Sequence, residues 1–347
     1  MGKNAKSLEI MKERVHAVFK EGCPNCGGEI ADIRLKNKLP CKLCIPIPDD
    51  KLIAEISALN DVEKFKFTLR LLKKFKTLKK YASLAKLEEE VARVNELFEK
   101  ATGSRLWSAQ RTWCKRALSG KNFAIIAPTG MGKTVFGIIL SIYFASKRKK
   151  AYIILPTSLL AYQVCSKVKE FIEKLNLDIK VVEYHSILTR SKAKRALEEI
   201  AEGEYDILIT TSYFLPRHFE KISHRKFDLI FVDDVDSFMR TSKNVDKVLI
   251  LLGLKQEIIE LGFRAMDLRT RLKKLLRMRR VYNEELNRVR EELVKVESEI
   301  AEYKQKNKVG LLVVSGASIR ARRTKRLRLF KEIFCLLYTS DAADDGE

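Results

Sequence analysis

Short apolar runs alternate with helical stretches from about residue 105 onward. The runs are rich in Ile and Val and lack the apolar–polar alternation of a strand with one solvated face, which predicts strands covered on both faces. Strands that alternate with helices in this way predict an α/β fold, a parallel sheet with helices on both sides. The predicted strands are residues 123–127, 151–155, 179–183, 206–210, 228–232 and 311–315.

Two other stretches show the three-to-four-residue spacing of amphipathic helices. Residues 51–100 predict helices, and apolar residues recur from 268 to 303 with one position missing near Arg279. The second stretch predicts a long amphipathic helix, alone or as part of a hairpin, within an insert over about residues 245–308. Because its other faces are dense with charged residues, we favour a solvated insert over a DNA-contacting arm.

A glycine–lysine loop interrupts the apolar sequence FAIIAPTGMGKTVFG. Backbone N–H groups at a helix N-terminus carry partial positive charge, and glycine lets the backbone approach phosphate oxygens closely. Lys133 is placed to reach the β- and γ-phosphates, and the Thr134 hydroxyl to bind Mg²⁺. Ala127 stands where the general pattern has glycine. The predicted nucleotide-binding residues here are Pro128, Thr129, Gly130, Met131, Gly132, Lys133 and Thr134.

Two aspartates follow a later predicted strand and supply the acidic partner that such a loop needs. Asp233 and Asp234 come directly after residues 228–232, and the carboxyl ends of neighbouring parallel strands meet at one edge of a sheet. We expect Asp233 to bind Mg²⁺, directly or through water. Asp234 is expected to position or deprotonate the attacking water. Lys133, Asp233 and Asp234 are therefore the predicted catalytic residues.

Four cysteines are grouped near the start of the chain in the spacing C-x₂-C-x₁₄-C-x₂-C. Each pair can direct two sulfurs at one tetrahedral ion, so Cys23, Cys26, Cys41 and Cys44 predict a Zn²⁺ site. Its role is either a structural staple for a short segment or a DNA contact. Basic neighbours are compatible with contact to the DNA backbone: they are Arg34, Lys36, Lys38 and Lys42.

The charge balance points to a polyanionic partner. The chain carries 68 Lys and Arg against 45 Asp and Glu, a formal net charge of +23, which favours nucleic acid as the partner. No apolar run is long enough to span a membrane, and charged residues follow Met1 without the apolar core of a signal peptide. We therefore expect a cytoplasmic protein with no membrane partner.

Further short motifs stand in the order seen in superfamily 2 helicases, which the sequence APTGMGKT resembles closely. By that resemblance Gln110 would hydrogen-bond adenine, so the nucleotide would be ATP. Residues 155–160 and 210–212 resemble motifs that hold a nucleic-acid backbone. Residues 315–318 resemble the motif that would pair with Asp236 and couple the ATP site to that edge. Asp234 stands where the DEAD-type motif has glutamate.

The combination of a four-cysteine finger, a helical spacer, these helicase motifs and a helical insert resembles the reverse gyrase family. The resemblance covers residues of about 10 to 334. It implies ATP-dependent introduction of positive supercoils into DNA by a helicase-like ATPase joined to a type IA topoisomerase. It also implies a second RecA-like domain and a topoisomerase half in the full-length protein, without which this part would bind ATP and DNA weakly and hydrolyse ATP poorly.

Two other interpretations stay open on the sequence alone. The chain could be a fragment of an ordinary superfamily 2 helicase or translocase, or a non-enzymatic DNA-binding module switched by nucleotide. With the resemblance, the expected organisation is a zinc finger, a helical spacer, one RecA-like domain with its insert and an artefactual tail. Their bounds are 1–50, 51–104, 105–334 and 335–347.

Overall fold

The computed structural model describes residues 17–239, 243–277 and 283–317. The chain divides into two compact units between Arg93 and Val94. The predicted tail, 335–347, lies outside the described residues, and the predicted domain bounds stay predictions. No helix among the residues described is both long and apolar enough to cross a lipid bilayer.

The first unit is a small hairpin followed by helices. Its elements are β1 (Val18–Phe19), β2 (Ile30–Ala31), α1 (Asp32–Lys36), α2 (Asp49–Ile56) and α3 (Asp61–Lys74), and α4 (Tyr81–Thr102) runs across the division. The helices predicted between residues 51 and 100 are thereby confirmed. Asn60 begins α3 with a reciprocal cap, in which its side chain accepts from the Glu63 N–H and the Glu63 carboxylate accepts from the Asn60 N–H.

The second unit alternates strands and helices. Its elements are α5 (Ser108–Leu118), β3 (Phe123–Ile126), α6 (Lys133–Ser146), β4 (Ala151–Leu155), α7 (Ser158–Lys174), β5 (Val181–Tyr184), α8 (Arg190–Glu202), β6 (Ile207–Thr211), α9 (Phe214–His218), a 3₁₀ turn (Phe219–Lys221), β7 (Leu229–Val232), α10 (Val235–Phe238), α11 (Lys243–Leu251), α12 (Gln256–Arg277), α13 (Asn283–Lys306) and β8 (Leu311–Gly316). All six predicted strands are confirmed, each within two residues of its predicted bounds.

These six strands form one parallel sheet in the order β3-β8-β7-β4-β6-β5. Every residue of β4, β6, β7 and β8 is buried, so both faces of the central strands are covered. That burial explains why their sequences are continuous apolar runs. The parallel arrangement brings the carboxyl ends of β3, β4, β7 and β8 to one edge, where the predicted site residues lie.

Helix α6 packs closely on the sheet at Gly137. A Cβ atom at this position would lie 2.4 Å from the Phe231 ring of β7, closer than any van der Waals contact allows. The Phe231 side chain is fully buried and cannot move aside cheaply. The absence of a side chain at Gly137 therefore allows α6 to pack this closely on the sheet. Helix α6 starts at Lys133, so the same contact positions the end of the glycine–lysine loop.

The insert is an antiparallel pair of helices, α12 and α13. Two ion pairs between the helices show this arrangement. Arg264 pairs with Glu292 at 2.6 Å, far from the segment that connects the helices, and Arg271 pairs with Glu285 at 2.7 Å, nearer to that segment. The hydroxyl of Tyr303 also donates to the Gly253 carbonyl at 2.9 Å. Of the two forms predicted, the hairpin is the one observed; Arg279 lies outside the described residues.

We expect Gly137→Ala to lower the free energy of unfolding by about 1–3 kcal/mol, because the added methyl group overpacks the contact with Phe231. An unhindered Gly→Ala change inside a helix would instead stabilise by about 1 kcal/mol, so the sign of the effect is diagnostic. Chemical denaturation of the zinc-loaded chain measures it. The double variant Gly137→Ala, Phe231→Leu should recover part of the loss, and a single variant as stable as the native chain would contradict the prediction.

Candidate functional site: a nucleotide loop and a four-cysteine centre

The loop between β3 and α6 has the backbone conformation that a phosphate-binding turn needs. Gly130 and Gly132 have φ values of +84° and +73°, in the left-handed region where a side chain is strained. Gly132 is also the N-cap of α6, so the first N–H groups of that helix face the loop without helical partners. Pro128, Thr129 and Gly130 are exposed and Met131 is half-buried, which leaves the loop accessible to a ligand.

Lys133 folds back on the loop in this conformation. Its ammonium group donates to the carbonyl oxygens of Ala127 and Pro128, each at 2.7 Å. The charge is thus held at the mouth of the loop by two neutral acceptors. An anionic oxygen is a stronger acceptor than a carbonyl, so a bound phosphate can compete for this group.

Asp233 joins the loop to the central strands. One carboxylate oxygen accepts from the Thr134 hydroxyl at 2.6 Å and the other from the Ser315 hydroxyl at 2.5 Å. Its backbone N–H donates to the carbonyl of Ile154 at 2.9 Å. Asp236 is the partner predicted for residues 315–318. The Ser315 hydroxyl donates to Asp233 and Ser318 lies outside the described residues, so the pairing with Asp236 stays a prediction.

Thr134 and Asp233 suit a magnesium ion by their chemistry. Both present oxygen atoms, which are the ligands that Mg²⁺ prefers, and Mg²⁺ in proteins is commonly held by one or two carboxylates plus substrate phosphates. The 2.6 Å between the two side chains brings them to a single point. The residues present therefore fit the ion, at the start of α6 and the end of β7.

Asp234 adopts a left-handed backbone, with φ +60° and ψ +79°. One of its carboxylate oxygens accepts from the Ser237 N–H at 3.4 Å, so it caps the short helix α10. Non-glycine residues in this region carry strain and cluster at functional sites. Because of this left-handed turn, the chain leaves the direction of strand β7 at Asp234, directly after Asp233.

Gln110 is almost fully buried and lies against the phosphate loop. Its amide nitrogen is 3.5 Å from the Gly132 carbonyl, and its amide oxygen accepts from the Trp107 N–H at 3.4 Å. A Cβ atom at Gly132 would approach the Gln110 amide nitrogen to 2.8 Å. The second glycine of the loop therefore also makes room for Gln110, a link between helix α5 and the loop that the sequence did not reveal.

The predicted backbone-binding motifs meet at the carboxyl ends of β4 and β6. Thr157 caps α7 by accepting from the Leu160 N–H at 3.3 Å. Thr210, by contrast, is fully buried and its hydroxyl is hydrogen-bonded to the Tyr152 hydroxyl at 2.7 Å. Thr210 is therefore not available to hold a nucleic acid, while Thr157 and the N-terminus of α7 stand at the open end of the sheet.

The four predicted zinc ligands converge in the first unit. The sulfur atoms of Cys23, Cys26, Cys41 and Cys44 lie within 4.8 Å of one another. The Cys23–Cys44, Cys26–Cys41 and Cys41–Cys44 sulfur distances are 4.0, 3.6 and 3.7 Å. Tetrahedral zinc with Zn–S bonds of about 2.3 Å would separate its sulfurs by about 3.8 Å, whereas a disulfide needs about 2.05 Å. The cluster therefore fits zinc.

The surroundings of the cysteines act differently on each thiol. Burial raises the pKa of Cys41 and that of Cys44. Burial acts in the same direction at Cys23, but hydrogen bonds from the backbones of Cys26, Cys41 and Asn25 outweigh it and lower the Cys23 pKa to about 7. Cys23 thus ionises more easily than Cys41 and Cys44, and the charge of a bound metal ion is what would hold all four groups as thiolates.

Asn25 connects the cysteine cluster to the loop before α4. It is fully buried, and its amide nitrogen donates to the Cys44 sulfur at 3.1 Å and to the Thr77 carbonyl at 2.8 Å. Its amide oxygen accepts from the Lys79 N–H at 2.8 Å. A hydrogen bond to a ligand sulfur steadies the metal site, so residues more than fifty positions apart are joined there.

Arg34 has a structural role instead of the expected one. It is 1% exposed, forms an ion pair with Asp49 at 2.6 Å and donates to the carbonyl oxygens of Pro40, Ile45 and Ile47. The prediction that Arg34 contacts the DNA backbone is therefore wrong, because its donors are already used. Lys36 and Lys42 remain exposed.

The matches to known proteins fall on the two parts of the chain just described. Residues 14–61 match the reverse gyrase zinc finger family, and residues 107–261 match the DEAD/DEAH box helicase family. The first match contains all four clustered cysteines, and the second contains the phosphate loop and both aspartates. The fold and the site thus define a helicase-like protein that carries a zinc finger.

Whole-chain comparisons place the protein more narrowly. A reverse gyrase of Pyrococcus horikoshii is 44% identical over 320 residues, 91% of this chain and 19% of that protein. One of Pyrococcus furiosus is 41% identical over 91% of this chain and 26% of its own length, and reverse gyrase 1 of Aquifex aeolicus is 38% identical over 92% and 25%. The chain belongs to the reverse gyrase family and spans about a fifth to a quarter of these relatives.

We expect one Zn²⁺ per chain, and Cys44→Ser should remove it because three sulfurs and a hydroxyl bind zinc poorly. Zinc should also be released as the pH falls below 7, since protons compete for the thiolates. Metal analysis after gel filtration measures both effects. Cys165→Ala, which removes a buried cysteine of the other unit, should keep the metal. A full zinc content in Cys44→Ser would contradict the assignment.

Proposed function

We propose that this chain is the ATP- and DNA-binding N-terminal part of an ATP-dependent type IA DNA topoisomerase that introduces positive supercoils. Membership of the reverse gyrase family supports this, as do the finger and helicase domains in that order. The observation that carries the nucleotide part is the 2.6 Å contact between Thr134 and Asp233. It brings the phosphate loop and the acidic strand end together, where a triphosphate and its metal ion need them.

The loop would hold the phosphates through its backbone. The left-handed glycines and the free N–H groups at the start of α6 provide several donors directed at one anion. Lys133 would exchange its carbonyl partners, Ala127 and Pro128, for phosphate oxygens. Its stem already spans the loop, so that exchange needs only a rotation of the side-chain end.

Thr134 and Asp233 would hold Mg²⁺, which when bound neutralises phosphate charge during phosphoryl transfer. Ser315 orients the Asp233 carboxylate through the 2.5 Å hydrogen bond. Asp234, beside them, would position the attacking water or take its proton. Gln110 would bind adenine while its amide also contacts the loop, so base recognition and phosphate binding are adjacent.

DNA would bind at the carboxyl ends of β4 and β6. The net charge of +23 favours a polyanion, and Thr157 with the N-terminus of α7 supplies the type of donor that holds backbone phosphates. We further propose that a second RecA-like domain and a topoisomerase half act with this part in the full-length protein. Closure by the second domain would complete the catalytic site, so this chain alone should hydrolyse ATP slowly.

A nucleotide-switched DNA-binding module is the second candidate. It is favoured by the contacts of Asp233, which touches the loop through Thr134 and β8 through Ser315, so nucleotide state can reach the sheet edge without hydrolysis. Comparing DNA affinity in ADP and in a non-hydrolysable ATP analogue, alongside DNA-stimulated hydrolysis, separates the two. Changed affinity with no hydrolysis by the full-length protein would favour the switch.

We expect Lys133→Ala to weaken binding of magnesium–ADP by about 10- to 100-fold, because a charged hydrogen bond to phosphate is lost. Calorimetric titration of the chain measures the change. Lys147→Ala, an exposed lysine at the far end of α6, is the matched control and should bind as the native chain does. Equal affinities for native and Lys133→Ala would contradict the site.

The two aspartates should separate in their response to magnesium. Asp233→Asn should abolish most of the gain in nucleotide affinity that magnesium gives, because a metal ligand loses its charge. Asp234→Asn should keep that gain while losing the slow hydrolysis, because its proposed partner is water. Titrations with ADP, with and without magnesium, measure the first effect, and single-turnover hydrolysis the second. Loss of the magnesium effect in Asp234→Asn alone would reverse the assignment.

A further inference from the structure

A cleft of about 480 Å³ opens beyond the carboxyl ends of β4, β5 and β6. Its lining includes five aromatic and imidazole side chains: Tyr184, His185, Tyr213, Phe214 and His218. Arg217 is the one charged side chain among the described residues that line it. The cleft lies clear of the phosphate loop, beside Thr157 and Ser158, and the roles proposed above do not use its rings.

Three of these rings, those of Tyr184, Phe214 and His218, pack against one another. Tyr184 lies edge-on to Phe214 and to His218, with centroid distances of 5.4 and 5.1 Å. Burial, together with the nearby charges of Lys221 and Arg217, lowers the pKa of His218 and so favours its neutral form. Tyr213 is 60% exposed. The wall therefore offers uncharged flat surfaces on which another flat group can stack.

His185 adds a buried hydrogen-bonding group that has no partner in the part of the chain that the structure describes. Its Nε2 lies 3.0 Å from the Glu183 carboxylate, which also binds the Lys169 ammonium at 3.0 Å. Burial acts to raise the Glu183 pKa, but the hydrogen bonds from His185 and Lys169 outweigh it and lower that pKa. In the neutral imidazole the nitrogen that faces the carboxylate, Nε2, donates to it, which leaves Nδ1 as an acceptor. Nδ1 is buried with no partner among the described residues.

We propose that this cleft binds an unpaired base of a DNA strand, stacked on Tyr213 and hydrogen-bonded to Nδ1 of His185. The inference rests on the proposed function, because it takes DNA as the ligand. A phosphodiester has no donor to offer a neutral acceptor, whereas each base carries N–H groups on its pairing edge. In a duplex those groups are already paired, so the cleft selects bases that have left the double helix.

Access to Nδ1 requires a movement of the cleft wall, because the His185 side chain is closed to solvent. We assign this movement to Tyr162, whose ring lies edge-on to His185 at a centroid distance of 6.2 Å and is 51% exposed. The entering base would then replace Tyr162 as the neighbour of His185.

The test compares two DNA strands of equal charge by fluorescence anisotropy with the full zinc-loaded chain. One is a single strand of about 20 nucleotides, and the other has the same length with abasic sites throughout. The native chain should bind the strand with bases about tenfold more tightly, as expected for one stacked base. Tyr213→Leu and His185→Gln should lose most of that preference, and Tyr213→Phe should keep it.

His185→Gln is chosen because its amide can still donate to Glu183 while offering nothing at the Nδ1 position. Should that variant fail to fold, Tyr213→Leu at its exposed position decides alone. Equal binding of both strands by the native chain would overturn the base site and leave the proposed DNA binding intact, whereas no DNA binding at all would overturn both. A salt dependence reduced by about one phosphate in His185→Gln would show a backbone contact instead, and would also overturn it.

Discussion

The carboxylate of Asp233 is the interaction on which the nucleotide-binding edge depends. Its two oxygens accept from Thr134 at the start of α6 and from Ser315 at the end of β8, and its N–H is bonded to Ile154 of β4. A nearly buried negative charge is tolerable only when hydrogen-bonded in this way. One short side chain thereby fixes a helix and three strands in register, and the position of the phosphate loop follows.

In the cysteine centre, too, a few buried polar side chains each make several hydrogen bonds. Asn25 connects Cys44 to the loop before α4, and Arg34 satisfies carbonyl groups on either side of the second cysteine pair. The cysteines also share one apolar core with residues of α2 and α3, such as Leu52 and Phe65. Metal binding and packing of these helices are therefore parts of the same folding step.

The sequence was informative wherever structure depends on neighbours along the chain. Buried parallel strands are continuous apolar runs, and the phosphate loop and the cysteine pairs are local patterns, so all were predictable. The burial of Arg34 and Thr210 was not, because it depends on Asp49 and Tyr152, which only the fold brings near. The contact of Gln110 with Gly132 was missed for the same reason, and so was the strand order.

The Arg–Glu pairs between α12 and α13 should contribute more to stability at high temperature than at 25 °C. Exposed pairs such as Arg264–Glu292 and Arg271–Glu285 contribute less than about 1 kcal/mol each near 25 °C. Hydration of charged groups weakens as temperature rises, so the free energy of bringing them together improves. These pairs therefore contribute more to the stability of the α12–α13 hairpin at high temperature than at 25 °C.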